Sequence, residues 1–430
     1  MQMLLDLCYL TALALGSPYC GYKLITQKKI RAGMKHKLGF PPARSGERCA
    51  WFHCVSVGEV GLARELVRRF EERFPECPAA ISTTTDTGHA AAEKHFPNHD
   101  IFYYPFDLSP AVRGTLRRIR PRCIVLIELE LWPNLIMSAR KKNVPVVIVN
   151  GRITERTFRR LRHLRFIVGP LLRSMAAISV QEDDYARRLI DLGADPEAVA
   201  VTGNMKYDTV KTAIDTDHPA YQAIMSVGAQ PMIVGGCTWP GEDEVLLKIH
   251  AELKQTTPGL GLVLAPRHAD RLPAVERLIK EAGFSCLRLS SLKKALQNDE
   301  NSEDMSRAVI LVDTFGELDA IYSAADLAFV GRSLTQHGGQ NILEPAALGK
   351  PVVFGPHTEN FNEATRLLLD AGAGVRVESE AGLREQIIKF LHDREPFVQI
   401  GISAREAVEK KKGATEKNLA LLEEVIDLST

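Results

Sequence analysis

No two cysteines form a C-x-x-C pair in this 430-residue chain, although Cys8, Cys20, Cys49, Cys54, Cys77, Cys123, Cys237 and Cys286 are present. Thiols scattered in this way describe a reduced chain in a cytosol-facing setting, with neither a disulfide framework nor a zinc site expected. An excess of charge is missing too. The 54 basic and 53 acidic residues leave a net charge of +1, so the totals carry no electrostatic footprint for nucleic acid. Nor is there an unbroken apolar run of the ~20 residues that a bilayer-spanning helix needs. The length points to two domains, because a single core stops growing at roughly 250–300 residues.

The nearest approach to an apolar span is Met3 to Leu15, which contains Asp6. It is followed by Lys23, Lys28, Lys29, Arg31, Lys35 and Lys37. This order suits an interfacial anchor over residues 1–30, since basic charge placed after the apolar segment is attracted to anionic cytoplasmic-leaflet lipids. A signal peptide fits less well, because no Lys or Arg precedes the run. A buried first helix of a soluble protein is the remaining alternative.

Beyond this segment, short apolar runs alternate with amphipathic ones, predicting an α/β chain of parallel sheets covered by helices on both faces. Candidate strands are Cys49 to Val55, Ala79 to Thr84, Ile101 to Tyr104, Cys123 to Ile127, Val144 to Val149, Ala176 to Val180 and Val199 to Thr202. Periodicity weakens from Asp208 to about Gln230, placing a domain boundary near residue 215. A second series follows: Met232 to Val234, Leu262 to Ala265, Val309 to Val312, Leu327 to Val330 and Val352 to Phe354. The polar run Ser290 to Arg307 reads as a surface loop. In such sheets ligands bind beyond the carboxyl ends of strands, so the chemistry is sought in those turns.

After the first strand, Ser56-Val57-Gly58-Glu59 opens a helix, with Gly58 permitting a tight turn. Glu59 is either a general base for an acceptor hydroxyl or an acid favoured by the helix N-terminus, and spacing alone favours the second. After the fourth strand, Glu128-Leu129-Glu130-Leu131-Trp132-Pro133-Asn134 offers two acids for acceptor binding or acid-base work. Solvated acids at a strand end are the other reading. Arg152, Arg156, Arg159, Arg160, Arg162, Arg165 and Arg173 are opposed only by Glu155. They suit a phosphorylated lipid head group, a membrane surface or a solvated basic helix.

Three turns of the second series suit a nucleotide. Gly235-Gly236-Cys237-Thr238 offers backbone N–H groups and a hydroxyl. Pro266-Arg267-His268 supplies a guanidinium for a phosphate, and Asp313-Thr314-Phe315-Gly316-Glu317-Leu318 runs from strand to helix. In Gly338-Gly339-Gln340-Asn341-Ile342-Leu343-Glu344-Pro345, Glu344 shares a helix face with Asn341 and can accept hydrogen bonds from ribose hydroxyls.

Together these stretches resemble the 3-deoxy-D-manno-octulosonic acid (Kdo) transferases of lipopolysaccharide synthesis, glycosyltransferases of the GT-B class. The likeness covers nearly the whole chain: His53-x-x-Ser56-Val57-Gly58-Glu59, Glu128-x-Glu130-Leu131-Trp132-Pro133-Asn134, Thr202-Gly203-Asn204-Met205-Lys206-Tyr207-Asp208, Pro266-Arg267-His268, Gly316-Glu317-Leu318 and Gly338 to Pro345. It departs from the family pattern at three places. Many relatives have Ser-Thr-His where this chain has Cys237-Thr238-Trp239, Gly where it has Arg332, and His where it has Gln340.

The resemblance implies a GT-B fold of two Rossmann-like domains, residues 31–215 for the acceptor and 216–430 for CMP-Kdo, with the last helix free to cross back. It implies inverting transfer of Kdo from CMP-Kdo to a tetraacyl disaccharide lipid A precursor at the cytoplasmic face of the inner membrane. Neither a metal nor a cofactor is implied, and the partners are donor, acceptor and an anionic membrane surface. Glu59 becomes the general base, displacing the reading from spacing. Lys206 and Arg267 face the leaving phosphate. Thr238, Pro266, Arg267, Gly316, Glu317, Leu318, Asn341 and Glu344 form the donor site, and Ser56, Glu128 and Glu130 lie on the acceptor side.

Overall fold

The computed structural model describes residues 2–15, 33–298, 308–336 and 338–427. The chain forms two compact units, Met1–Thr209 with Lys412–Thr430, and Val210–Lys411. The basic residues Lys23, Lys28, Lys29 and Arg31 lie outside the described residues.

The first unit is a sheet of seven strands: β1 Cys49–Cys54, β2 Ala79–Thr83, β3 Asp100–Tyr103, β4 Pro121–Ile127, β5 Val146–Gly151, β6 Ala177–Val180 and β7 Val199–Val201. Their order is β3-β2-β1-β4-β5-β6-β7, and every pairing is parallel. All six residues of β1 are buried. Cys49 and Trp51 pack on one face with Phe102, Ile124 and Leu126, while Ala50, Phe52 and Cys54 pack on the other with Ile81, Val125 and Ile127. Burial on both faces is why these strands read as apolar runs and not as alternating ones.

The last helix, Ala414–Asp427, belongs to this unit, with Leu419, Leu422, Val425 and Ile426 packed beside Val147 and Val149. Polar pairs fix its start. The Asp208 carboxylate accepts the N–H groups of Gly413 at 2.7 Å and Thr415 at 2.6 Å, and Asn418 bonds to both Thr202 and Ser179. The Thr202 to Asp208 motif thus anchors the returning helix. The chain leaves the first unit at Thr209, where loss of periodicity had suggested about 215.

The second unit repeats the plan with β8 Met232–Thr238, β9 Gly261–Pro266, β10 Ser285–Arg288, β11 Ala308–Leu311, β12 Leu327–Val330, β13 Val352–Phe354 and β14 Val375–Arg376. Their order is β10-β11-β9-β8-β12-β13-β14, again parallel throughout. All twelve runs proposed from sequence fall on strands. The two that were not anticipated, β10 and β14, are edge strands of four and two residues with no fully buried position.

The loop expected over Ser290 to Arg307 requires correction. Leu289–Gln297 is a helix with Leu289 and Leu292 buried, and Asp313 accepts hydrogen bonds from the backbone and hydroxyl of Ser290 at its start. Polar composition had masked this apolar spacing. Residues 299–307 lie outside the described residues.

At the amino end, the helix Gln2–Leu15 packs on the helices Ser109–Ile119 and Pro133–Arg140. Asp6 accepts the Ser109 N–H at 2.9 Å and the Asn134 side-chain amide at 3.0 Å. Met3, Leu7 and Leu10 on the same helix are 87%, 61% and 51% exposed. Among the described residues, no helix is long and apolar enough to cross a membrane.

Candidate active site

Each sheet reverses its winding once, between β1 and β4 and between β8 and β12. Such reversals open a crevice at the carboxyl edge, because the helices on either side leave in opposite directions. The acidic candidates of the first unit follow β1 and β4, and Lys206 follows β7.

Glu59 lies in the first turn of the helix Val57–Arg73 and is 8% exposed. The Val55 N–H donates to one carboxylate oxygen at 2.7 Å and the Ser56 hydroxyl to the other at 3.0 Å. The helix-start geometry inferred from spacing is therefore present, with Ser56 acting as donor to Glu59. Burial nonetheless holds the Glu59 pKa above the usual carboxylate value, against the pull of those two donors and with a further push from Glu128. Gly58 is an ordinary helical residue and makes no special turn. A Cβ there would meet only Ser56 Oγ, at 3.8 Å, so the backbone in front of Glu59 is bare.

Glu128 closes β4 with φ 61°, a left-handed conformation that costs a non-glycine residue ~1 kcal/mol or more. Its N–H is fixed on the Val149 carbonyl at 2.9 Å, and its own carbonyl accepts the Glu130 N–H at 3.1 Å. Burial raises Glu128, opposed by Arg152 and Lys206. Burial, then Glu59 and Glu128, raise Glu130 to about 7. Three carboxylates from two adjoining strands thus share one field. Lys206, exposed and on this first unit, acts on Glu128.

The remaining motif residues support this edge from behind. His53 is fully buried and kept neutral, its pKa pushed down to about 3 by burial; Ser82 Oγ stands 2.8 Å from its Nδ1 and accepts the Trp51 indole N–H at 2.7 Å. Asp107 caps the helix Pro133–Arg140 through the N–H groups of Asn134 and Leu135. Sequence reasoning overlooked Tyr104, whose ring lies 4.2 Å from that of His53 and 4.6 Å from that of Trp132. Among the described residues its buried hydroxyl has no hydrogen-bond partner, and it is acted on by Asp107 and Glu130. A lone tyrosine just past a strand carries no sequence signal of this kind.

In the second unit, the glycine turn expected to cradle a phosphate is corrected: Gly235 and Gly236 lie inside β8. A Cβ on Gly236 would fall 1.9 Å from the Tyr322 hydroxyl and one on Gly235 2.5 Å from Leu246, so close packing demands both glycines. Thr238 is fully buried, and its hydroxyl donates to Asp243 at 2.5 Å. Pro266 is buried as the last residue of β9 and sets the position of exposed Arg267.

Arg267 and Glu344 share one neighbourhood with Cys237, Asp319 and Tyr322. Burial and then Asp319 raise Glu344 to about 7, while a hydrogen bond from Asn341 at 3.1 Å and the charge of Arg267 oppose the rise. Arg267 also bonds to Cys237. Cys237 lies at the end of β8, Arg267 just past β9, Asp319 and Tyr322 in the helix Leu318–Ser323 that follows β11, and Glu344 in the helix Leu343–Ala347 that follows β12. Gly338 and Gly339, at φ 120° and 71°, turn the chain into this loop. Glu317 is held differently, by Lys293 at 2.5 Å and Thr314 at 2.6 Å, next to the open left-handed Gly316 and half-buried Leu318.

Also overlooked was Glu242, which is fully buried. Its two oxygens accept four backbone N–H groups, from Trp239, Arg332, Ser333 and Leu334 at 2.7–3.0 Å, stitching the loop after β8 to the loop after β12.

Two doubly wound units, each with its functional loops at the carboxyl edge of a switch point, define a protein of the GT-B class. Solved structures agree. The chain is similar to UDP-GlcNAc 2-epimerase from Neisseria meningitidis bound to UDP-GlcNAc, with TM-score 0.57 and 15% identity over 88% of this chain and 100% of that one. For Anabaena Alr3699/HepE in complex with UDP the TM-score is 0.53, at 14% identity over 88% and 99%. At such identities the likeness is one of fold.

Sequence relatives narrow the class. Residues 32–209 match the family model described as 3-Deoxy-D-manno-octulosonic-acid transferase (kdotransferase). The chain is 31% identical to the 3-deoxy-D-manno-octulosonic acid transferase of Haemophilus influenzae over 98% of its length and 96% of the relative's, and 32% identical to that of Bordetella pertussis over 92% and 93%. It is 33% identical to a bifunctional glycosyltransferase/methyltransferase of Fusobacterium nucleatum, of which it spans 55%. The chain belongs to the 3-deoxy-D-manno-octulosonic acid transferase family.

Proposed function

We propose that the protein transfers Kdo from CMP-Kdo to the 6′ hydroxyl of a tetraacyl disaccharide lipid A precursor, with inversion, at the cytoplasmic face of the inner membrane. The observation that carries this reading is Glu59: a buried carboxylate of raised pKa at the switch point of the first sheet, in a chain of this family.

A base gains strength as its pKa rises toward the working pH. The Glu59 carboxylate accepts from the Val55 N–H and the Ser56 hydroxyl and is also acted on by the Ser56 backbone, which leaves a carboxylate of about four acceptor directions one for the acceptor hydroxyl. The proton passes to Glu59 as the acceptor oxygen bonds to the anomeric carbon of Kdo, and the bond from that carbon to the phosphate of CMP breaks. Positive charge develops on the sugar and negative charge on the phosphate. Arg267 supplies the opposing charge for the phosphate. Glu344 and Asn341 hold the CMP ribose, and Glu128 and Glu130 line the acceptor side.

The test is mass analysis of products from purified protein, a tetraacyl acceptor and either CMP-Kdo or UDP-N-acetylglucosamine. A mass gain of one or more Kdo units from the first donor alone is the expected result. Transfer from the UDP-sugar with none from CMP-Kdo sinks the reading in favour of another nucleotide sugar.

A further inference from the structure

Arg332 lies two residues past β12 with a backbone φ of 55°. That left-handed conformation suits glycine and strains any residue with a Cβ, and such strain persists chiefly at sites that use the side chain. The backbone is pinned on both sides. Glu242 accepts the Arg332 N–H at 2.7 Å, and the Arg332 carbonyl accepts the Gly339 N–H at 2.8 Å. The side chain is placed as firmly: its guanidinium stands 4.7 Å over the Trp239 ring, which meets the His268 ring edge-on at 5.3 Å. A Cβ on Gly338 would fall 3.3 Å from the Arg332 guanidinium, so the first glycine of the loop leading to Glu344 leaves space for it.

Trp239 follows β8, His268 follows β9 and Arg332 follows β12, and the sheet order places β9 and β12 on either side of β8. All three residues therefore stand at the carboxyl edge of the switch point, where ligands of doubly wound sheets bind. Arg267, one residue before His268, bonds to Cys237 and acts on Glu344, on the side given to phosphate and ribose. Arg332 has no part in those contacts. A nucleotide-linked acidic sugar carries a second anion, its carboxylate. An arginine held over an aromatic face presents a planar fork that matches a carboxylate through two parallel hydrogen bonds. The Trp239 indole N–H, shielded from solvent and without a partner among the described residues, is a further donor on the same ring.

We propose that Arg332 is a specificity-determining residue of the donor site, pairing with the carboxylate of the donor's sugar while Trp239 holds its guanidinium in place. This rests on the reading of the donor as a CMP-linked acidic sugar, and it goes further by giving the sugar's own anion a partner in the second unit. A site built to pair with a substrate group rejects the analogue that lacks it. Arg332 thus selects an acidic sugar over a neutral one on the same nucleotide.

Titration calorimetry of the full-length protein with CMP and with freshly prepared CMP-Kdo, acceptor absent, tests it. CMP offers the phosphate and ribose without the carboxylate. Arg332→Gln should weaken CMP-Kdo about tenfold, the scale of a hydrogen bond to a charged group, and leave CMP within about twofold. Arg332→Lys keeps the charge and loses the fork, so its affinity for CMP-Kdo should fall between parent and glutamine variant. Arg332→Gly should lose the same discrimination while relieving the left-handed strain, which provides a second reading should the glutamine variant fold poorly. Trp239→Phe should retain most of the discrimination and Trp239→Ala should lose it, as the ring under the guanidinium is kept or removed. Equal weakening of CMP and CMP-Kdo in the Arg332 variants overturns the proposal and makes Arg332 a phosphate contact or a brace of its loop. Unchanged affinity for both ligands overturns it as well. A parent protein that binds CMP but not CMP-Kdo is a distinct result, which sinks the donor reading and the proposal with it.

Discussion

The guanidinium of Arg332 stands 4.7 Å over the ring of Trp239. Both residues depart from the pattern of many relatives, which have Gly and His there, and they flank the switch point of the second sheet after β12 and β8. Glu242 grips the backbone N–H of each. The departures form one contact. A double-mutant cycle on Trp239→Ala and Arg332→Ala, read by thermal melts, should give a coupling of ~0.5–2 kcal/mol. Additive effects would separate the two positions.

Glu59→Gln should keep the fold and CMP binding while lowering turnover by ~10²–10⁴, the usual loss for a general base. The amide oxygen can still accept the Val55 N–H, so melting should change little. Near-normal turnover in a folded variant would leave Glu59 with its helix-start role alone.

Glu130 gives a signed pH effect. Its folded pKa of about 7 lies above the ordinary glutamate value of 4.5, raised by burial and then by Glu59 and Glu128, so the folded state binds the extra proton. This contribution to stability is complete below about 4.5 and is lost as pH rises through about 7. Glu130→Gln should therefore raise the melting temperature of the first unit at pH 8 and leave it nearly unchanged at pH 4. A variant that gains nothing at pH 8 contradicts the raised pKa.

Glu344 makes a similar test available for the donor. If its carboxylate accepts the ribose hydroxyls, CMP binding should strengthen from pH 6 to pH 8 and release protons near pH 7, the value to which burial raises the group. Glu344→Gln should weaken CMP by roughly 1.5–3 kcal/mol and flatten both trends. It should also narrow the preference for ribose over deoxyribose nucleotides. Calorimetry with both nucleotides decides between ligand contact and helix support, which predicts lower stability with an unchanged ratio.

Deleting residues up to about Tyr19 should leave CMP affinity intact, since the nucleotide is assigned to the second unit. The first unit should lose stability, because Asp6 no longer accepts from Ser109 and Asn134. Denaturant titration with and without CMP separates the two effects, and a weakened CMP affinity would contradict the assignment.

The strands of both sheets were legible in the sequence because parallel strands buried on two faces must be apolar throughout. The short edges β10 and β14, half-covered and lacking that constraint, carried no such mark. The Leu289–Gln297 helix was hidden for a related reason, since only two buried leucines hold it, serine and lysine fill the positions between its leucines, and a polar run follows it directly. The motifs offered candidate site residues in order along the chain, but a string of letters does not say which neighbours share a field. Only the parallel order β1 beside β4 set Glu59 against Glu128 and Glu130, and only packing showed that Gly236 makes room for Tyr322 and not for a phosphate. Local periodicity is a property of each segment alone. Electrostatic coupling and close contact depend on distances between segments remote in sequence, and tertiary structure decides those.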